Sequence, residues 1–192
     1  MIVLILGLVI LLGAHSVRIF ADGWRTAQVA RLGLNTWKAL FALVSLAGFA
    51  LIVIGFGQAR LAPTVLWFPP IALRHVAGLI TLLSFVLIAA AYVPGTRIKA
   101  KLGHPMLAGV KGWAFAHLLA NGSLADVVLF GSFLAWGVLD FRSARRRDRA
   151  AGTVYPAGTV KGDLTAVAVG VVVWAVFAFW LHGWLFSVRP FG

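Results

Sequence analysis

Two histidines stand thirteen residues apart in GHPMLAGVKGWAFAHLLANGS, residues 103–123, a run apolar enough to enter a bilayer. A neutral imidazole has one donor and one acceptor nitrogen, so it can ligate a metal, relay a proton or tie two helices together. His117 carries the sharper implication, because an ionisable group inside a membrane helix is costly and faces a partner or a cavity. Trp113, His117 and Asn121 fall at i, i+4 and i+8 and therefore share one helix face. That face offers either an imidazole backed by an amide and an aromatic wall, or an interhelical hydrogen bond worth under about 1 kcal/mol. His104 precedes Pro105 in a pattern that opens a helix, since proline suits the first helical position and holds the residue before it extended. Ser123 and Asp126 have the spacing of a capping box. Asp126 can also neutralise Arg74 or a protonated His75. Lys111 can snorkel toward the nearer membrane face.

The elements that must position these groups are membrane helices. Apolar residues make up 61% of the 192-residue chain, charged residues only 11%, and the mean hydropathy is +0.97. Soluble domains sit near half apolar and a quarter charged. Apolar runs predict an all-α polytopic transmembrane bundle of about six helices, near 1–17, 38–57, 71–93, 105–121, 123–141 and 163–187, in a single domain spanning 1–192. A spanning helix needs about 20 residues, so the fourth and fifth are expected to be short or tilted hairpin partners.

Net charge of +12 raises nucleic acid as a partner, but the distribution argues for a bilayer instead. Fourteen of the seventeen basic residues fall between helices one and two, around helix three to four, and after helix five; only Arg60, Arg74 and Arg189 lie on the other side. The positive-inside rule then puts both termini outside the cytoplasm. The first apolar run has neither a basic leader nor a small-x-small cleavage site, so an uncleaved first helix is expected. No Arg- and Ser-rich transit segment is present, and a bacterial inner membrane is the expected location. Loop 142–162 (RSARRRDRAAGTVYPAGTVKG) reads as a solvated basic loop, and 58–70 as an interfacial loop anchored by Trp67 and Phe68. The chain has no cysteine, which excludes disulfides, thiolate metal sites and cysteine nucleophiles, and no glutamate.

The segment GHPMLAGVKGWAFAHLLANGSLADVVLFGSFLAWGVLDF, together with GAHSVRIF and ADGWR near the N-terminus, resembles the NnrU family of bacterial membrane proteins. The likeness runs over most of 1–147 and is weak over the last helix. The family takes its name from a locus linked to nitrite and nitric oxide metabolism. It includes the plant zeta-carotene isomerase, a membrane enzyme that uses haem b to isomerise a cis double bond. In that isomerase the corresponding segment has the same histidine–proline start, with a second histidine thirteen residues on. The resemblance implies haem b here, with His117 and His15 of the AHS motif as iron ligands. One position departs: the isomerase has a cysteine three residues before the second histidine, implicated in redox-dependent ligand exchange, and this chain has Ala114.

Haem b needs an apolar slot, neutral imidazoles and cations or donors for its propionates. Gly109, Gly112 and Ala116 let helices approach closely, while Lys111 and Arg18 are candidate propionate partners. Trp113, Asn121 and His104 complete the candidate cofactor-binding set. At 1.5 Å per residue, His15 and His117 differ in depth by about 9 Å, which helix tilt must absorb. His75 and His182 match each other better in depth and form a rival ligand pair. A hydrophobic or small redox substrate would accompany the haem. Two other functions fit parts of the pattern. One is a non-catalytic subunit or assembly factor of a membrane redox complex. The other is a membrane methyltransferase using S-adenosylmethionine, which also opens a late helix with His-Pro but follows it with paired glutamates; here SARRRDR offers only Asp148.

Overall fold

The computed structural model describes residues 1–191. Its elements are α1 (Ile2–Phe20), α2 (Asp22–Leu32), α3 (Leu34–Leu61), α4 (Ile71–Tyr92), α5 (Arg97–Leu102), α6 (Pro105–Ala120), α7 (Leu124–Ala150) and α8 (Val160–Val176). A π-helical turn, Phe177–Leu181, then leads into α9 (His182–Phe186). Helices α1, α3, α4, α7 and the continuous α8–α9 rod are long and apolar enough to cross a membrane. With the 16-residue α6 they make the six expected segments. Large apolar side chains such as Leu43, Leu46, Leu79 and Leu83 are exposed along the long helices, as contact with a bilayer requires.

The long helices alternate in direction along the chain, and α1 and α7, which pack together, run parallel. Leu4 sits beside Gly55 and Leu11 beside Gly48, so α1 and α3 are antiparallel. Ile88 meets Gly109 and Ile80 meets Gly112, while Val86 meets Gly170 and Thr81 meets Trp174, so α6 and α8 both run against α4. The packing is close because glycines remove side chains at the crossings: a methyl group on Gly7 would lie 2.6 Å from the Ile52 amide nitrogen. Leu4 and Leu8 bury against Ala125, Leu129 and Phe130, which joins α1 to α7. Helix α7 also packs on α6, so it links the α1–α3 pair to the α4–α6–α8 group.

One end of the bundle carries Met1, the 62–70 and 121–123 loops and the C-terminal turn; this is the terminal end. The other carries α2, α5 and the 151–159 segment; this is the basic end. Each is stitched by an isolated β-bridge, Val65 to Ser123 at the terminal end and Thr96 to Thr159 at the basic end.

The segment between the first two apolar runs contains α2, set off by a break at Ala21 (φ −139°, ψ 42°) and closed by Gly33 at φ 81°. Two expectations are corrected. The fifth apolar segment is not short: α7 is 27 residues long and absorbs the first nine residues of the expected basic loop. Arginine and alanine are good helix formers, so the RSARRRDRA run continues the helix despite its charge. Arg147 supports it from within, donating to the Ser143 hydroxyl at 2.8 Å and approaching Asp140 at 3.8 Å. The helix stops at Ala151, followed by Gly152 at φ 61°. The last apolar run is likewise not one regular helix, since the π-helical turn interrupts it.

Candidate functional site

Most of the candidate residues line one or other of two cavities in the bundle. The larger, about 660 Å³, lies at the basic end where the α1–α3 pair parts from α4, α6 and α7. It is lined by His15 and Arg18 of α1, Trp37, Lys38 and Phe41 of α3, His104 at the head of α6, and Trp136, Asp140 and Arg147 of α7. The smaller, about 200 Å³, lies at the terminal end among α4, α6 and the α8–α9 rod. Trp113, His117 and Asn121 all line it, together with His182.

His15 and His117 are prepared in the same way. The Nδ1 of each lies 2.8 Å from the carbonyl oxygen of the residue four positions earlier, Leu11 and Trp113. A carbonyl only accepts, so Nδ1 carries the proton and donates, and Nε2 keeps its lone pair on the side of the ring away from the helix backbone. That is the tautomer a metal ligand needs. His182 shows the same preparation through the Val188 carbonyl at 2.7 Å. The aromatic surroundings differ. His15 packs on Phe41 at 4.8 Å and meets Trp136 edge-on at 5.9 Å. His117 stacks on Phe130 at 4.5 Å and lies 5.0 Å from Trp113. Phe130, Phe133 and Trp136, at i, i+3 and i+6 of α7, form a ladder that runs from one histidine to the other.

The Trp136 indole Nε1 is buried and has no hydrogen-bond partner. Few buried donors are left so, because an unsatisfied one costs about 1–3 kcal/mol. Around it the basic-end cavity gathers Arg18, Arg25, Lys38, Lys99 and Arg147 against a single carboxylate, Asp140. Arg18 is held loosely, with Nε 3.8 Å from Asp22.

His104 has a different task. It caps α6 ahead of Pro105, and Gly103 makes the turn at φ 73°. Its Nε2 donates to Asp148 at 2.9 Å, and the same carboxylate oxygen accepts from the Tyr155 hydroxyl at 2.9 Å and from Arg145 at 3.4 Å. This clamp ties the end of α7 and the following segment to the head of α6. Burial, with the hydrogen bond to Asp148, pushes the Tyr155 hydroxyl above the usual phenol range. Lys111 lines neither cavity; its ammonium sits 3.8 Å over the Phe141 ring. Ser123 and Asp126 form a reciprocal capping box. His75 stacks on Phe191 at 6.4 Å and lines neither cavity, apart from His182.

Among the described residues, no group of three or more histidine or carboxylate side chains converges as a metal site. Haem needs only one or two imidazoles and is compatible with that. The basic-end cavity fits the chemistry of a haem: a free imidazole nitrogen, flat aromatic walls, an orphaned donor and a surplus of cations for two propionates. Its volume falls within the roughly 300–1,000 Å³ of small-molecule sites, and the terminal-end cavity falls below it. Trp136, Phe41, Asp140 and Arg147 were not among the sequence candidates. The three-residue spacing of Phe130, Phe133 and Trp136 was visible, but nothing local showed which side of α7 would face a cavity.

The family model described as NnrU protein matches residues 3–190. No curated protein and no solved structure gives a match.

Proposed function

The chain belongs to the NnrU family, and on that premise we propose that it is a haem b-binding protein of the bacterial inner membrane, with iron carried on His15 in the basic-end cavity. The observation that carries this reading is the buried Trp136 Nε1, without a partner among the described residues, on an indole set edge-to-face with the His15 ring. Each residue has a distinct part. The Leu11 carbonyl fixes the His15 tautomer and raises the basicity of Nε2. Phe41 and Trp136 wall the imidazole and exclude water. Arg18, Lys38 and Arg147 balance the propionate charge, and Trp136 contributes a neutral donor. Haem b bound there supplies a one-electron couple and a Lewis-acidic iron. The family resemblance makes the function a redox or isomerase-like role toward a hydrophobic or small substrate, linked to nitrite and nitric oxide metabolism. The basic end faces the cytoplasm and both termini the periplasm, in keeping with the positive-inside rule.

The test is the optical spectrum of the detergent-purified full chain, oxidised and reduced. Wild type is expected to show a Soret band, and His15→Ala to lose it while inserting and migrating normally. A protein that stays colourless after haem-supplemented expression overturns the proposal. A second reading has its own support: His117 carries the same Nδ1 tie and is the firmer carry-over from the family. Loss of the Soret band in His117→Ala but not in His15→Ala would select it. Haem without turnover on any substrate would favour a subunit or assembly role.

A further inference from the structure

The bundle is a crescent with a gap in its rim. Helix α7 joins the α1–α3 pair to the α4–α6–α8 group, and α3 and α4 do not touch. Helix α2 packs only on α1 and α3, and α5 only on α4, α6 and α8, so neither covers the gap. At the terminal end the two halves are tied. Arg60 of α3 donates to the Phe186 carbonyl at 2.9 Å, and the Leu66 and Trp67 amides of the 62–70 loop both donate to the Gly122 carbonyl, at 2.8 and 3.2 Å. At the basic end Arg147 donates to the Arg18 carbonyl at 3.3 Å, on the α7 side. Among the described residues no hydrogen bond there joins α2 or α3 to α4 or α5. The basic-end cavity therefore opens sideways between α3 and α4, into the bilayer.

The walls of this mouth are apolar and its lip is cationic. Trp37 and Phe41, one turn apart, line it from α3, and Ala91, Tyr92 and Met106 line it from α4 and α6. The Tyr92 hydroxyl donates to the Met106 Sδ at 3.3 Å, which makes the second wall continuous. Phe41 stands seven residues beyond the start of α3, about 10 Å along the helix and below headgroup level. At the lip, Arg25 of α2 and Lys99 of α5 approach from opposite flanks. The Lys99 ammonium is held at the edge by the Ala91 carbonyl at 3.2 Å. The acids of this end are engaged elsewhere: Asp22 lies against Arg18, Asp140 against Arg147, Asp148 is in the clamp, and Asp163 accepts from the Ile98 amide. An apolar cleft at hydrocarbon depth under a cationic lip matches an acyl chain under an anionic head, and matches a zwitterionic head less well.

We propose that this lateral mouth is a binding site for one anionic phospholipid, with its phosphate between Arg25 and Lys99 and one acyl chain laid between α3 and α4 against Trp37 and Phe41. The lipid supplies the wall that the helices leave out, and it bridges two halves that at this end are joined only through α7. Arg25 and Lys99 are not the cations assigned to the propionates, so the site does not rest on haem.

The experiment places the full chain in phosphatidylcholine nanodiscs doped with brominated-chain phosphatidylglycerol or brominated-chain phosphatidylcholine, whose bromines quench a tryptophan they touch. The signal is the part of the quenched emission that disappears in Trp37→Phe. Phosphatidylglycerol is expected to reach half-quenching at a mole fraction at least about fivefold lower than phosphatidylcholine, as two surface cations imply. Arg25→Gln/Lys99→Gln should bring the two lipids together, and the charge-keeping Arg25→Lys/Lys99→Arg should keep them apart, which separates lost charge from a misfolded bundle. Lys99→Gln alone should weaken the preference, although Lys99 lies across the gap from Trp37, because one lipid spans both flanks. His15→Ala should leave the preference intact, so a colourless protein and an empty mouth are distinct results. Equal quenching by the two lipids, or a preference unchanged in Arg25→Gln/Lys99→Gln, overturns the proposal. Quenching of Trp37 by aqueous acrylamide but by neither lipid would make the gap a water-filled vestibule and overturn it. Silence to all three quenchers would show the gap closed by protein, a second copy of the chain included, and would also overturn it.

Discussion

Trp136 stands edge-on to His15, ring centre to ring centre 5.9 Å, with its own N–H buried and unanswered. A donor in that position makes the haem-free protein less stable than an isosteric apolar wall would. Trp136→Phe is therefore expected to stabilise the haem-free protein by about 1–2 kcal/mol, measured by thermal unfolding in detergent. The same variant should retain haem less well on dilution. Equal or lower stability without haem would show that the indole is satisfied.

The close crossing of α1 and α3 makes Gly7 intolerant. Gly7→Ala should destabilise the bundle by about 1–3 kcal/mol, because the new methyl group meets the Ile52 amide nitrogen at 2.6 Å. Gly57, with open space around it, is the control, and Gly57→Ala should be near neutral or slightly stabilising.

The His104–Asp148–Tyr155 clamp predicts a protease phenotype. Asp148→Ala should expose the 151–159 segment, and Tyr155→Phe should do so less. The pH dependence follows from the raised Tyr155 hydroxyl. Its neutral form makes the hydrogen bond, so the protection it confers is complete below the ordinary phenol value of about 10 and is lost as pH rises through the higher folded value. Wild type and Tyr155→Phe should therefore differ by a constant amount from neutral pH to about pH 10 and converge above it. Convergence beginning near neutral pH would rule out this hydrogen bond as the cause.

Much of this architecture was legible in the sequence because apolar runs, proline and capping residues are local signals. Pro105 begins α6 and the Ser123–Asp126 box begins α7, as their spacing implied. The continuation of α7 was not, because five arginines and two aspartates within 140–149 look like loop charge until helix propensity and the Arg147–Asp140 approach are considered together. The pairing of site residues was less legible still. Sequence put Trp113, His117 and Asn121 on one face, and they line one cavity. It could not reveal that His15 opens on the other, since that depends on how α1 and α6 each pack against α7.

The ladder of Phe130, Phe133 and Trp136 has a consequence for transport across the bilayer. It occupies residues 130–136 of α7 between the two prepared imidazoles, about 9 Å of helix rise. No acid, base or histidine of α7 lies within that stretch. An ion entering from either end would have to shed its hydration to pass such a layer, at a cost of several kcal/mol or more. Along α7 the ladder therefore separates the two cavities by an apolar step that offers an ion or a proton no polar foothold.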